Sequence, residues 1–322
     1  MPIGPWRSVA APLPVGAPPF PPDALHASGR QALSAALAAA GLGRGHLVAI
    51  PPWSSACVIG AVGRVATPVP MAAALAATAL VDAVLLYDQW GWRRPASAIA
   101  ALRRRFPRAA IVRDGVDTAD LGMGGTPGED PAVVAHVWSL SKVLGVWSGG
   151  VARSRGGWLP ASLDEAQRPL AEVLRVAPMS SAADTAKTSV AALPAADERL
   201  LRGADLARAF AGERGRRLAN LDALRACGLA AAWPAWMAAD AGAGDGGPGL
   251  APVLRGESTP VLAAAREAVL AAAGIDAPVY RFDFAADGAD PRYQPCLALP
   301  LHGEVDPDRI GVVAAALRGF AT

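Results

Sequence analysis

An alternation of short apolar runs with helical stretches is the feature that most constrains how this chain can fold. It covers about the first 160 residues. The runs are too short to be helices, and each stops at proline or a polar residue, which is typical of buried strands. Strands are predicted at 47–50, 84–87, 109–112 and 133–138, with helices at 28–42, 56–65 and 95–104. This alternation predicts an α/β fold with a mostly parallel, buried sheet.

The rest of the chain has a different pattern. An arginine-rich stretch at 191–227 predicts one long helix, and a glycine-rich loop follows at 241–249. A helix is predicted at 260–273, strands at 278–284 and 296–299, and a last helix at 306–320. We therefore expect a large domain over residues 1–190. Residues 191–322 would form the linking helix and a smaller C-terminal α+β domain.

Composition excludes several classes of function. The net charge is only +2, which argues against bulk electrostatic binding of nucleic acid or an anionic membrane. The most apolar stretch, 65–86, is interrupted by Pro68, Pro70 and Asp82, so no membrane span is expected. The three cysteines are widely spaced and the four histidines never lie four residues apart, so neither disulfides nor a metal site is expected. A cytoplasmic protein with reduced thiols is the expectation.

Lysine is rare in this chain. Of the 30 basic residues only Lys142 and Lys187 are lysines, and arginine cannot act as an amine nucleophile. Lys142 follows a predicted strand, stands beside Ser139 and Ser141, and precedes a glycine pair at 149–150. Desolvation lowers the pKa of a lysine and makes its amine a usable nucleophile. The alternative is an ordinary surface lysine.

Two further motifs lie where ligands bind in α/β proteins. Ser28 and Gly29 open a predicted helix, whose free N–H groups and dipole suit a phosphate, although Ser28 is equally suited to a simple helix cap. Asp114 ends a predicted strand, where an acidic side chain either serves a site or caps a turn.

Taken together and in this order, the motifs resemble the DegT/StrS family of pyridoxal-phosphate (PLP) aminotransferases, which have fold type I. The matching segments are SGRQAL at 28–33, GLGRGHLVAIPPWS at 41–54, ATPV at 66–69, YDQWGW at 87–92, IVRDGVD at 111–117, SLSKVLGVWSGG at 139–150 and LALPLH at 297–302. The resemblance spans residues 24–320, nearly the whole chain.

The resemblance implies a role for each matching polar residue. Lys142 would hold the cofactor covalently and move the proton between the substrate carbon and the cofactor. Asp114 would keep the pyridinium nitrogen protonated, and Asp117 lies where relatives have a polar residue near the ring hydroxyl. The phosphate would be held at the helix start and the lysine motif, by Ser28, Gly29, Arg30 and Ser139.

The chain departs from the family pattern at several positions. Ser55 stands where relatives often have an aromatic residue stacked on the cofactor ring, which leaves Trp53 and Trp90 as candidates to cover it. Arg30 stands where many sugar-acting relatives have threonine. Arg281, in the predicted small domain, is a weaker candidate for binding a substrate carboxylate, and a structural arginine is the alternative.

The function expected from the resemblance is transfer of an amino group from a glutamate- or glutamine-like donor to a small keto or aldehyde acceptor. A role in specialised or sugar-related biosynthesis would fit. Another PLP reaction, namely elimination, decarboxylation or oxidation of an amino acid, is the first alternative. A binding protein that keeps the fold without catalysis is the second. The family resemblance also implies a homodimer, and neither nucleic acid nor membrane is expected as a partner.

Overall fold

The computed structural model describes residues 2–6, 13–76, 81–122, 131–177, 186, 189–231, 233–238, 246–256 and 258–320. Ten strands lie within these residues: β1 Leu47–Ile50, β2 Thr67–Pro70, β3 Ala83–Tyr87, β4 Ala110–Asp114, β5 Val133–Ser139, β6 Gly150–Ser154, β7 Gly157–Trp158, β8 Leu250–Arg255, β9 Val279–Asp283 and β10 Tyr293–Pro300.

The described α-helices are α1 Gly29–Ala39, α2 Ala56–Gly63, α3 Met71–Ala76, α4 Ala96–Arg105, α5 Leu140–Leu144, α6 Arg168–Val176, α7 Ala195–Arg202, α8 Leu206–Ala226, α9 Ala235–Ala238, α10 Thr259–Ala273 and α11 Pro307–Leu317. Short 3-10 turns lie at Pro22–Ala24, Gln89–Gly91 and Glu165–Gln167. No helix in the described part of the chain is long and apolar enough to cross a membrane.

The larger sheet has seven strands among the described residues, in the order β2-β1-β3-β4-β5-β6-β7. Strands β1 to β5 pair in parallel, and β6 and β7 are added antiparallel at one edge. The apolar residues of the sheet pack with α1 and α2 in one cluster and with α3 and α4 in another. A parallel sheet covered on both faces needs apolar strands throughout, which is why the runs in the sequence are continuous. The predicted α/β class and mostly parallel sheet are confirmed.

A second, smaller sheet has the order β8-β10-β9, with antiparallel pairing. Its core includes residues of α8, α10 and α11, and it packs against Trp90 and Trp92, which follow β3 of the larger sheet. A buried ion pair also joins the two sheets. Arg94, in the segment after β3, binds Asp283 of β9 at 2.8 Å. Within the larger sheet, Asp88 directly after β3 binds Arg113 of β4 at 2.7 Å and accepts a hydrogen bond from the Arg94 N–H at 2.9 Å, which links the two pairs.

The stretch predicted as one long helix at 191–227 forms two helices, α7 and α8. Gly203 ends α7, and the side chain of Asp205 accepts a hydrogen bond from the Arg208 N–H at 3.0 Å, which caps the start of α8. Glycine and aspartate are the expected residues at a helix end and a helix start. The prediction of one continuous helix is therefore wrong. Most of the predicted glycine-rich loop lies outside the described residues, as does Lys187.

Candidate active site

The candidate site lies at the carboxyl ends of the parallel strands. The last residue of β3, Tyr87, pairs with the last residue of β4, Asp114, and Asp114 pairs with Val137 near the end of β5. Lys142 follows three residues after Ser139, in the short helix α5. The sheet thus brings these side chains to a common edge, where open α/β folds bind ligands.

A turn after β4 positions both acidic residues. The Asp114 carboxylate accepts a hydrogen bond from the Val116 N–H at 3.2 Å, and the Thr118 N–H donates to the Gly115 carbonyl at 3.0 Å. The chain therefore turns directly after β4, and Asp117 lies within this turn. Asp117 is fully buried.

Lys142 forms an ion pair with Asp117. Its Nζ lies 2.8 Å from Asp117 Oδ1, and 38% of the lysine side chain is exposed. Burial lowers the pKa of Lys142, but the charge and hydrogen bond of Asp117 and the charge of Asp114 outweigh it, so the pKa lies above its usual value. Desolvation alone was expected to lower the pKa of Lys142, and the buried carboxylates reverse that effect. Lys142 is therefore an ammonium ion at neutral pH in this arrangement.

For the pKa of Asp114, burial outweighs the attraction of the nearby cation. Burial raises its pKa from 3.8 to about 7; the charge of Lys142 lowers it, and the charge of Asp117 raises it further. A buried carboxylate with so high a pKa lacks a full cationic partner. A cation placed beside it would favour its ionised form.

Tyr87 was not singled out by the sequence analysis. Its hydroxyl donates a hydrogen bond to Asp117 Oδ2 and accepts one from the Trp90 N–H at 3.3 Å. Burial, then the charge of Asp117, raises the pKa of Tyr87 well above 10, so it stays a neutral donor. Its position at the end of a predicted strand, like that of Asp114, was the signal that could have identified it.

These side chains open onto a cavity of about 550 Å³, within the usual size range of ligand pockets. Six of the residues predicted for the site line it: Trp53, Ser55, Trp90, Asp114, Lys142 and Arg281. Several other lining residues had no predicted role in the site, namely Trp6, Gln89, Thr259, Tyr280 and Tyr293. Most of these come from the small sheet and its surroundings, so the wall is built from both parts of the chain.

Two tryptophans of the wall have an unusual backbone. Trp53 and Trp90 are the non-glycine residues with positive φ in the described part of the chain, at 62° and 58°. Such conformations are costly for large side chains and cluster at functional sites. Trp90 is buried against Phe282, with ring centroids 4.8 Å apart. Trp53 is 68% exposed, and the Arg281 guanidinium lies 4.5 Å from its ring centroid. Trp92 and Trp138, by contrast, are buried in the core.

The predicted phosphate residues lie beside α5 but are not among the residues that line the cavity. Ser28 caps α1 by accepting a hydrogen bond from the Gln31 N–H at 3.3 Å. A Cβ on Gly29 would come within 3.0 Å of Ser139 Cβ, and one on Gly150 within 2.5 Å of the Gly29 nitrogen. Small residues thus let the start of α1 approach the lysine motif closely. Arg30 lies in the first turn of the same helix.

Residues 20–161 match a protein family described as "Putative PLP-dependent aminotransferase". Among curated protein sequences, none matches the chain.

Solved structures match over most of the chain. A DegT DnrJ EryC1 StrS aminotransferase from Brucella abortus is 17% identical, with a TM-score of 0.53, covering 92% of this chain and 85% of its own. A "putative sugar aminotransferase" from Streptococcus pneumoniae in its PMP form is 15% identical, with a TM-score of 0.58 and coverages of 92% and 86%. Serine palmitoyltransferase from S. paucimobilis with a PLP–myriocin aldimine is 18% identical, with a TM-score of 0.56 and coverages of 92% and 72%.

At these identities the similarity establishes the fold, which is that of fold-type-I PLP enzymes. The prediction of PLP as the cofactor is confirmed at the level of the matching family, which is PLP-dependent, and of structural neighbours solved with PLP or PMP.

Proposed function

We propose that this protein is a PLP-dependent aminotransferase that moves an amino group from an amino-acid donor to a small keto or aldehyde acceptor. The observation that carries the proposal is that Lys142 and Asp114 line one cavity, at the carboxyl ends of β5 and β4 of a fold-type-I sheet. This pair supplies the amine and the buried carboxylate that the cofactor's aldehyde and ring nitrogen need.

The residues present fit the cofactor. The raised pKa of Asp114 fits a carboxylate that binds a cationic ring nitrogen. Gly29 packs closely against Ser139 at the start of α1, and the start of a helix suits a phosphate. Ser28, Gly29, Arg30 and Ser139 would hold the phosphate, and Lys142 would bind the aldehyde.

When bound, PLP supplies an electron-withdrawing ring that stabilises negative charge on the substrate carbon next to the nitrogen. Lys142 holds and returns the proton at that carbon, and it must first lose its own extra proton. Asp117, 2.8 Å from Nζ, is placed to keep the amine oriented during this exchange. Tyr87 donates to the other Asp117 oxygen and so fixes the carboxylate in turn.

Arg281 is proposed to bind the carboxylate of the amino donor. It is exposed, lies on β9 of the small sheet and faces the cavity across the ring of Trp53. A guanidinium binds a carboxylate through two parallel hydrogen bonds, which would also fix the donor's orientation. Much of the surrounding wall is aromatic, with the ring centroids of Trp90 and Tyr280 6.1 Å apart. Such a wall fits a small acid with a flat or apolar body.

Our second candidate is a different PLP reaction, because serine palmitoyltransferase is as similar in fold as the aminotransferases are. In such an enzyme Lys142 and Asp114 would keep the same roles toward the cofactor, and the pocket would determine that a different bond of the substrate is broken. In a sugar-related role, as the names of other structural neighbours suggest, only the acceptor would differ from the one proposed above.

We also propose a homodimer. Helix α6 exposes Leu170, Val173 and Val176 on its surface, and an apolar face of this kind is typical of a protein interface. Light scattering of purified protein is expected to give twice the chain mass of 32.7 kDa. A monomer at micromolar concentration would contradict the proposal.

The central experiment is spectroscopic. Purified protein is expected to bind PLP with a visible absorption that borohydride reduction fixes covalently to Lys142, and Lys142→Ala is expected to lose this adduct. Addition of glutamate should then convert the bound cofactor to pyridoxamine phosphate. Protein that takes up no PLP would refute both PLP functions. Uptake without conversion by any amino acid would favour the second reaction type.

A further inference from the structure

Residues 2–6 form a segment that is bound to the part of the chain around the small sheet. The Ile3 N–H donates to the Gly274 carbonyl at 2.9 Å, and the Asp276 N–H donates to the Ile3 carbonyl at 2.8 Å. The buried His302 ring lies with Nε2 3.0 Å from the Gly4 carbonyl oxygen. The segment is therefore held by backbone contacts at consecutive residues, and Trp6 follows directly after them.

Trp6 reaches the candidate active site. Its ring centroid lies 5.1 Å from Lys142 Nζ, and its side chain lines the same cavity as Asp114. The indole also packs against Gly249, where an added Cβ would lie 3.4 Å from the ring. A tryptophan from a distant part of the sequence thus lies over the one described lysine.

We propose that Trp6 is a positioning residue for Lys142, which holds and shields its amine. The negative face of an aromatic ring attracts an ammonium ion, most strongly for tryptophan. Asp117 attracts the same group, at 2.8 Å. The amine is thereby held between a carboxylate and a ring face, and the indole covers part of a side chain that is 38% exposed.

This arrangement has a consequence for reactivity. Only the neutral amine attacks an electrophile, and Trp6 favours the charged form while it occupies space beside the nitrogen. Replacing Trp6 by alanine removes both effects, and both changes make Lys142 more reactive. Because Trp6 acts on the lysine itself, its effect can be measured without cofactor and does not depend on which reaction the site performs.

The experiment measures the rate at which trinitrobenzenesulfonate labels each lysine in cofactor-free protein, by peptide mass spectrometry. In Trp6→Ala the rate at Lys142 is expected to rise about two- to fivefold, which corresponds to the loss of one cation–π contact at an exposed site. The pH profile of labelling should move to lower pH. Trp6→Phe keeps an aromatic face and should label at nearly the wild-type rate.

The chain offers two controls. Lys187 is its other lysine, and its labelling in the same sample should not change. Trp158 also has a cation against its ring, with Arg153 at 5.6 Å, so Trp158→Ala should leave the rate at Lys142 unchanged. An unchanged rate at Lys142 in Trp6→Ala would overturn the inference. So would an equal rise at both lysines, or a rise in Trp6→Phe as large as that in Trp6→Ala.

Discussion

Replacing Asp114 by asparagine is expected to stabilise the cofactor-free protein at alkaline pH. The carboxylate is only 2% exposed and accepts one hydrogen bond, from the Val116 N–H. Asparagine has the same shape and keeps an acceptor oxygen for that bond. The variant therefore removes the titration of Asp114 and leaves its packing and its hydrogen bond in place.

The magnitude follows from the pKa of Asp114, which burial raises from 3.8 to about 7. Between these values the folded protein keeps a proton that the unfolded chain has lost, so stability falls as pH rises through this window. Roughly three pH units at about 1.4 kcal/mol each give about 4 kcal/mol. The loss is complete above about pH 7 and absent below about pH 4. Asp114→Asn should therefore match wild type in acid and exceed its stability by up to this amount at pH 8.

The assay is urea unfolding of cofactor-free protein at a series of pH values, with the difference between variant and wild type plotted against pH. Asp290→Asn is the matched control, because Asp290 is an exposed aspartate in a surface ion pair with Arg292. Its difference from wild type should be small throughout the same range, because a surface ion pair contributes little to stability. A flat difference for Asp114→Asn as well would refute the reasoning, since it would show that Asp114 has an ordinary pKa.

Four further substitutions test other parts of the site. Asp117→Asn removes the negative charge that raises the pKa of Lys142, so the pH profile of PLP uptake should move to lower pH; a move to higher pH would contradict this. Arg281→Gln should raise KM for a carboxylate-bearing donor about tenfold or more, by loss of a charged hydrogen bond, with kcat nearly unchanged in steady-state assays. Trp90→Ala should cost about 3–5 kcal/mol of unfolding free energy, because Trp90 is buried. Trp53→Ala should change the unfolding free energy little, because Trp53 is 68% exposed. Equal losses for Trp90→Ala and Trp53→Ala would contradict the assignment of Trp90 as buried and Trp53 as exposed.

The large sheet could be predicted from the sequence because its central strands are continuous apolar runs bounded by breakers. Among the strands that were not predicted, β2 and β8 contain proline. Strand β2, Thr67–Pro70, has two prolines in four residues and lies at the edge of the sheet, where missing N–H donors are tolerated. Strand β8, Leu250–Arg255, contains Pro252 opposite a register shift in β10. Proline in a local sequence pattern argues against a strand. Only the position of a strand within the sheet shows whether proline is tolerated there.

The candidate site could be predicted where one residue type at a strand end carries the chemistry. Lys142 and Asp114 met that condition, and the structure brings both to one cavity. Trp6 met no such condition, because its place depends on backbone contacts with residues near 275 and 302. The ion pair between Lys142 and Asp117 could not be predicted either, since it depends on how the turn after β4 folds back.

The electrostatic balance of the site links these observations to the proposed cofactor. Two buried carboxylates, Asp114 and Asp117, face one ammonium group, that of Lys142, and Asp117 takes the ion pair. Asp114 is left without a full partner, and its pKa rises to about 7 as a result of burial. The instability that Asp114 causes at alkaline pH is therefore specific to the cofactor-free protein. A cationic ring nitrogen beside Asp114 would remove it, so the same carboxylate that weakens the folded chain alone should strengthen PLP binding. Asp114→Asn should separate the two effects, with higher stability in the absence of PLP and weaker affinity for it.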